Sequence, residues 1–198
     1  LTPHIISFDM GNDANDEAVA DLLHNKDPKI VWIQVNSNNK AESILLNKPE
    51  TEDPNNYHRF SYLNRLANTA VFHKQYDQLK AIADEMLQSK PGELDYGDMM
   101  FKGNVFNGIV ALKRDNNLEN AKQFLLAAGQ TPGSAVLSSF GPNMSLAKDL
   151  LELGEQQVVL KYFELCRKFW THHPETLDEW ETIVKQGQIP DFMANLSY

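Results

Sequence analysis

The stretch MMFKGNVFNGIVALKRDNNLENAKQFLLAA, residues 99–128, decides the fold that we predict for this chain. Its apolar side chains recur every three or four residues on both sides of Asn116 and Asn117, which is the pattern of two amphipathic helices joined by a tight turn. Pro132 follows the second helix and ends it. The stretch therefore predicts a helical hairpin, with this apolar stripe: Val105, Ile109, Leu112, Leu118, Ala121, Leu125 and Ala128.

Two further hairpins are predicted on either side of the first. One covers residues 56–89 and ends at Pro91, and the other covers residues 143–170 with Gly154 at its turn. A hairpin of this size cannot bury its apolar stripe alone, so neighbouring hairpins must stack into one core. We therefore predict an all-α fold, an α-α superhelix of about three hairpins in residues 56–198, with residues 174–187 as a capping helix. Leu177, Trp180 and Ile183 are its predicted buried face.

Residues 1–55 are predicted to form an acidic, partly helical N-terminal segment followed by a linker at residues 47–55. The β-branched residues among 30–35 favour a strand. The spacing of one helical face also fits Ile30, Ile33, Ala41 and Ile44. We therefore predict two short helices with a break near residues 36–39.

Composition excludes several classes of function. A net charge of −9 and a pI near 5.1 disfavour nucleic acids and anionic membranes as partners, because their phosphates would be repelled. The single cysteine, Cys166, excludes an intrachain disulfide, and its apolar helical surroundings predict a buried thiol. The first residue is Leu1, which is consistent with a processed or trimmed end and a removed signal peptide.

The hairpins resemble tetratricopeptide repeats in size and spacing. The first hairpin places Leu63, Ala67, Leu79, Ala83 and Pro91 where that pattern has its large, small and proline positions. The second hairpin matches less closely, since its turn is about one residue longer and two asparagines replace apolar residues.

The last hundred residues also resemble a group of bacterial helical-repeat proteins without assigned activity. The resemblance lies in Tyr96-Gly97, in residues 103–104 and 121–134, in SFGPNMSLAK at 139–148, in YFELCRKFW at 162–170 and in IPDFMANL at 189–196. It implies a family but no reaction. Some members of the group are exported, which favours a periplasmic location over a cytoplasmic one.

Asn104 and Asn107 are the main candidates for a binding site, because they lie three residues apart on one face of a predicted helix. In tetratricopeptide arrays the equivalent helix lines a concave groove, and its polar side chains hold an extended peptide. Asp98, Lys102 and Asn143 are further groove candidates. The alternative is that the asparagines form inter-helix hydrogen bonds or are simply exposed.

These features predict a protein- or peptide-binding scaffold that has no intrinsic catalysis and no cofactor. The identity of the partner does not follow from the sequence. The tail at residues 189–198 is predicted to pack back on the chain or to dock on a second copy, which would make a homo-oligomer.

The rival hypothesis is an enzyme. Residues 8–17, FDMGNDANDE, precede a helical stretch and then residues 29–35, an order that resembles the N-terminus of nucleoside hydrolases. In that family an Asp cluster holds Ca²⁺, which would make Asp9, Asp13 and Asp16 metal ligands in a metal-dependent hydrolase. The adjacent Asp pair of that family is missing, and an acidic loop that caps a helix explains the same residues. His172 and His173 are predicted to be surface residues.

Overall fold

The computed structural model describes residues 4–7, 30–35, 41–42 and 59–196. Three short strands lie in the N-terminal part: β1 (His4–Ser7), β2 (Ile30–Val35) and β3 (Ala41–Glu42). They form a sheet in the order β1-β2-β3, in which β1 and β2 are parallel and β2 and β3 are antiparallel. The prediction of a helix at residues 30–35 is therefore wrong, and the β-branched residues there adopt the extended backbone they favour.

Residues 59–196 are helical apart from turns and loops, which confirms the all-α prediction for this part of the chain. The α-helices are followed by one 3₁₀ turn at Met193–Leu196. No helix among the described residues is both long enough and apolar enough to cross a membrane. The helices are α1 (Arg59–Phe72), α2 (Tyr76–Met86), α3 (Tyr96–Lys113), α4 (Leu118–Gly129), α5 (Ala135–Phe140), α6 (Ser145–Glu152), α7 (Gln156–Cys166) and α8 (Pro174–Lys185).

Three pairs of helices correspond to the three predicted hairpins: α1 with α2, α3 with α4, and α6 with α7. Between hairpins, α3 packs chiefly on α2, and α4 packs chiefly on α7. The short helix α5 lies between the second and third hairpins, in a stretch that neither predicted hairpin includes. Ser134 explains the helix, because its side chain accepts a hydrogen bond from the Leu137 backbone N–H and caps the first turn.

The second helix of every hairpin is buried in the same register. In α2, α4 and α7 the fourth, eighth and eleventh residues are buried. This spacing is the i, i+4, i+7 stripe of a helix with one face on the core. The hairpins are therefore structural repeats of one another in these positions: Leu79, Ala83 and Met86; Ala121, Leu125 and Ala128; Val159, Phe163 and Cys166.

The turns within the hairpins also repeat. Each contains a residue with positive φ, namely Lys74, Asn116 and Gly154. The backbone N–H of the next residue donates a hydrogen bond to a carbonyl oxygen of the first helix: Gln75 to Ala70 at 2.8 Å, Asn117 to Ala111 at 2.8 Å and Glu155 to Leu150 at 3.0 Å. These bonds satisfy carbonyls that the helix end leaves unpaired. The middle turn spans one more residue than the other two, as predicted.

The C-terminal segment closes one end of the stack. In α8 the buried residues are Leu177, Trp180 and Val184, while Ile183 is only half-buried, so the predicted face is wrong by one position at its end. Beyond α8, Phe192 is fully buried against the rings of Trp180 and Phe163. The tail packs back on its own chain through this side chain.

Candidate functional site in the second hairpin

All five residues predicted to line a groove are buried, with 2–7% of each exposed. Asp98, Lys102, Asn104 and Asn107 lie on α3, and Asn143 lies just before α6. The helix α3 is buried on every side from Gly97 to Ala111, except for the half-buried Met100. A helix surrounded in this way forms the centre of a core, so the four α3 side chains lie inside the stack and not on an open groove.

The two asparagines use their amide groups within the stack. The Asn104 Nδ2 donates to the Met100 carbonyl oxygen at 2.7 Å, one turn earlier on the same helix. The Asn107 Nδ2 donates to the Asp84 Oδ1 at 3.2 Å and so joins α3 to α2. The Asn107 Oδ1 is buried and has no hydrogen-bond partner among the described residues, which is costly for a polar atom. This geometry matches the inter-helix alternative for Asn107.

The repeated turns show which core positions these asparagines occupy. Asn104 lies seven residues before Ala111, whose carbonyl accepts the turn bond. Seven residues before the equivalent carbonyls of Ala70 and Leu150 lie Leu63 in α1 and Asn143 in the third hairpin. By the same count, Asn107 is equivalent to Leu66 and Leu146, both of which are buried. The second hairpin therefore places two amides where the first hairpin has two leucines. A buried amide without full pairing, such as that of Asn107, costs stability.

A second buried polar group joins α3 to the N-terminus of α5. The Ser134 hydroxyl donates to the Asp98 Oδ1 at 2.8 Å and accepts from the Leu137 backbone N–H at 3.0 Å. Lys102 lies one turn after Asp98, and its Nζ is 5.7 Å from the centre of the Phe106 ring, within the range of a cation–π contact. Ser134 was not predicted as a partner of Asp98, although a serine before a helical stretch is a recognisable N-cap signal.

Burial dominates the electrostatics of this group. It raises the pKa of the Asp98 carboxyl, against the hydrogen bond from Ser134, and the nearby Asp95 raises it further. Burial also lowers the pKa of Lys102 to about 8, and the attraction of Asp98 only partly offsets this. The charged forms of Asp98 and Lys102 are therefore less favourable inside the stack than in water. This is expected when the cost of desolvation exceeds the attraction between the two charges.

Asn143 has a separate role at the start of the third hairpin. Its Oδ1 accepts hydrogen bonds from the Ser145 backbone N–H at 3.0 Å and from the Ser145 hydroxyl at 2.6 Å. Its carbonyl oxygen accepts from the Tyr162 hydroxyl at 3.1 Å. Asn143 thus fixes the first turn of α6 and joins it to α7.

No group of three or more His, Cys, Asp or Glu residues in the described part of the chain could hold a metal ion. The weak metal candidates Asp9, Asp13 and Asp16 lie outside the described residues. His172 and His173 are exposed, as predicted, and the His172 Nδ1 lies 3.0 Å from the Ser138 carbonyl oxygen. Cys166 is fully buried, and burial raises the pKa of its thiol, so it is not poised as a nucleophile.

An exposed row on α1 was not singled out from the sequence. Ser61, Arg65, Asn68 and Phe72 are exposed at i, i+4, i+7 and i+11, opposite the buried stripe of the same helix. Phe72 is 72% exposed, which is unusual for a phenylalanine on a helix of a packed stack. The spacing of these residues is visible in the sequence, but exposure depends on which side of α1 its neighbours cover. We call this row the α1 surface.

Comparison of the chain with family models, with curated proteins and with solved structures finds no match to any of them. The function must therefore be inferred from the chain's own geometry.

Proposed function

We propose that this chain is a tetratricopeptide-like scaffold that binds a protein or peptide and has no catalysis of its own. The observation that carries the proposal is the repeated register of the three hairpins, in which the same positions of α2, α4 and α7 are buried and the same turn bond recurs. Repeats of this kind stack into extended surfaces that suit protein recognition.

The α1 surface is the part of the scaffold that we assign to the partner. It combines a guanidinium group at Arg65, an amide at Asn68 and an exposed ring at Phe72 on one helical face. Arginine and aromatic side chains contribute most to binding energy at protein interfaces. The expected partner is a protein segment that offers a carboxylate to Arg65 and an apolar side chain to Phe72.

In this proposal the buried asparagines act inside the scaffold. Asn107 links α3 to α2, and Asn104 bonds to its own helix, so neither reaches a partner that binds at the surface. Asn107 positions the second hairpin against the first, which presents α1.

A pair of double variants tests this division of roles. A peptide that binds the intact chain is selected from a displayed random-peptide library and titrated calorimetrically. Arg65→Ala with Phe72→Ala is expected to weaken binding tenfold or more and leave the melting temperature unchanged, since both side chains are exposed. Asn104→Ala with Asn107→Ala is expected to alter the melting temperature and leave the affinity per folded molecule unchanged.

The matched control is Leu153→Ala with Lys161→Ala, which removes one apolar and one basic exposed side chain from the third hairpin. It should change neither quantity. If the asparagine pair weakens binding and the α1 pair does not, the partner contacts α3 as the sequence alone suggested. If the control weakens binding equally, the α1 surface has no special role.

The second candidate function, a metal-dependent hydrolase, is favoured by one observation. Strands β1 and β2 pair in parallel, with His4 opposite Ile30, and residues 8–29 connect them. Asp9 follows the C-terminal end of β1 by two residues. Ligands of parallel sheets bind beyond the carboxyl ends of the strands, so Asp9 is in the sequence position of a ligand there.

Thermal unfolding in the presence of Ca²⁺ separates the two functions. For a scaffold, added Ca²⁺ is expected to leave the melting temperature unchanged. An ion at a hundred times its dissociation constant would instead stabilise the chain by about 2.7 kcal/mol. An upward shift that Asp9→Asn with Asp13→Asn abolishes would support the hydrolase, and Mg²⁺ at the same concentration controls for ionic strength.

A further inference from the structure

The helix α1 and the turn after it are basic, in a chain that is acidic as a whole. Residues 54–76 contain no Asp or Glu, although 27 of the 198 residues are acidic. The same stretch contains Arg59, Arg65 and Lys74. Arg65 and Lys74 are exposed, whereas Arg59 is largely buried and faces Glu85 at 3.8 Å. The exposed side of α1 and its turn therefore presents positive charge.

The acidic side chains of the next helix, α2, are already paired with other cations. This helix has three acids, and each forms an ion pair. The pairs are Asp77 with Arg114 at 2.8 Å, Asp84 with Lys80, and Glu85 with Arg59 at 3.8 Å. Arg114 belongs to the second hairpin, so a cation from the neighbouring repeat offsets the acid that is closest to Lys74 in the sequence. The acids of α2 are thus compensated by cations other than Arg65 and Lys74.

A second stretch without acidic residues gives a useful contrast. Residues 120–148 contain no Asp or Glu and two lysines. Both lysines bind carboxylates from outside the stretch: Lys122 pairs with Glu119 at 2.6 Å and Glu155 at 3.3 Å, and Lys148 pairs with Glu152. An absence of acids in the sequence does not by itself make a basic surface, because pairing in the fold can supply them.

The exposed groups along α1 follow the order cation, ring, cation. Arg65 and Phe72 are seven residues apart, which corresponds to about 10 Å along the helix axis. Lys74 follows Phe72 by two residues, in the turn. An extended peptide covers about 10 Å in three residues. A segment laid along α1 with an apolar side chain on Phe72 would therefore reach Arg65 on one side and Lys74 on the other.

We propose that the partner of the α1 surface is an acidic protein segment, in which carboxylates lie on both sides of one apolar side chain. This inference rests on the proposed function, because it assigns the chemistry of the partner at the same surface. A carboxylate matches the paired N–H groups of the Arg65 guanidinium, and Lys74 supplies a point charge for a second carboxylate. A basic segment would place like charges against both cations.

The net charge of −9 does not prevent an acidic segment from binding here. At about 0.1 M salt the Debye length is about 10 Å, so acidic groups farther away are largely screened, whereas charges in direct contact are not. The local charge of the surface therefore decides which segment it accepts. An anionic membrane matches less well, because surfaces that bind one gather about four to eight basic residues, and this one presents Arg65 and Lys74.

Three labelled peptides of about 12 residues, identical except at two positions, test the proposal, since an extended chain of that length covers the whole of α1. The two variable positions flank a single phenylalanine and hold Glu in the first peptide, Gln in the second and Lys in the third. Fluorescence anisotropy with the full 198-residue chain measures their binding. The glutamate peptide is expected to bind at least tenfold more tightly than the glutamine peptide, and the lysine peptide more weakly than either.

A variant outside the α1 surface separates charge from the rest of the contact. Lys74→Asn should weaken binding of the glutamate peptide at least threefold and leave binding of the glutamine peptide unchanged. Asparagine tolerates the positive φ of 57° at this position, so the turn is retained. The matched control is Lys161→Asn, which removes an exposed lysine from α7 and should change neither affinity. Melting curves check that both variants are folded.

Three results would overturn the inference: no binding of the glutamate peptide, equal affinities for the glutamate and glutamine peptides, or equal effects of Lys74→Asn and Lys161→Asn. The proposed function would survive them if Arg65→Ala with Phe72→Ala still weakens binding of the peptide selected from the library, so the two failures are distinguishable. Binding to vesicles of phosphatidylserine and phosphatidylcholine that Lys74→Asn weakens, without binding of the glutamate peptide, would instead assign the surface to a membrane.

Discussion

Gly97→Ala is expected to lower the free energy of unfolding by about 3 kcal/mol, at the upper end of what overpacking usually costs. A Cβ on Gly97 would lie 1.9 Å from the Gly133 carbonyl oxygen and 2.7 Å from its carbonyl carbon. These are backbone atoms, which cannot rotate away as a side chain can. The Thr131 hydroxyl also donates to the Gly97 carbonyl oxygen at 2.6 Å, so the loop and the start of α3 are held together. Denaturant unfolding followed by circular dichroism measures the loss.

Gly103→Ala is the matched control on the same helix. Its Cβ would meet the Leu87 Cδ2 and Cγ atoms, both at 2.9 Å, and the Ala83 carbonyl oxygen at 3.1 Å. Leu87 is half-buried and can shift, and alanine gains up to about 1 kcal/mol over glycine in helix propensity. The control should therefore stay within about 1 kcal/mol of the parent chain. Equal losses in the two variants would show that the loop at Gly133 does not constrain α3.

Phe192→Ala is expected to cost about 3–5 kcal/mol, the range for removing a buried aromatic ring. Phe192 lies outside any helix and yet is fully buried. Its ring centre is 4.9 Å from that of Trp180, edge to face, and 6.4 Å from that of Phe163. Loss of this ring leaves a cavity between α7 and α8. Denaturant unfolding followed by tryptophan fluorescence measures the loss, since Trp180 lies in direct contact.

The next residue gives the comparison for Phe192. Met193→Ala removes an exposed side chain and should change the free energy of unfolding by no more than about 0.5 kcal/mol. If both variants cost the same, the tail is not part of the core.

Apolar periodicity predicted the hairpins because it is a local property. In α2, α4 and α7 the buried residues recur at i, i+4 and i+7, and a helix that buries one face must show that spacing in its sequence. Turn residues marked the ends of the helices for an equally local reason. Gly154 and Asn116 tolerate a positive φ that most residues avoid.

Local pattern misjudged the strand β2 and gave no prediction for the helix α5. At residues 30–35 two periodicities overlap, and pairing with β1 and β3 selects the strand. Residues 135–140 include no charged residue and show little amphipathic contrast. The helix there depends on its cap at Ser134. The Ser134 hydroxyl donates to Asp98 of α3, which is far away in the sequence.

The candidate site shows the same division. From the sequence, Asn104 and Asn107 were polar residues at apolar repeat positions, and Asp98, Lys102 and Asn143 were further groove candidates. Together with Ser89, these five are the buried polar residues in the described part of the chain. The resemblance to tetratricopeptide arrays, in which the equivalent helix lines a groove, led to the prediction that the α3 residues face that groove.

The sequence by itself thus determined the number of hairpins and the turns of the second and third, since these depend on residues close together in the chain. Only the tertiary structure decided that α3 is covered on every side, that Phe192 enters the core, and that α5 meets the tail. Burial depends on residues from other parts of the chain that pack against a helix, and the apolar periodicity of a single helix does not show which residues these are.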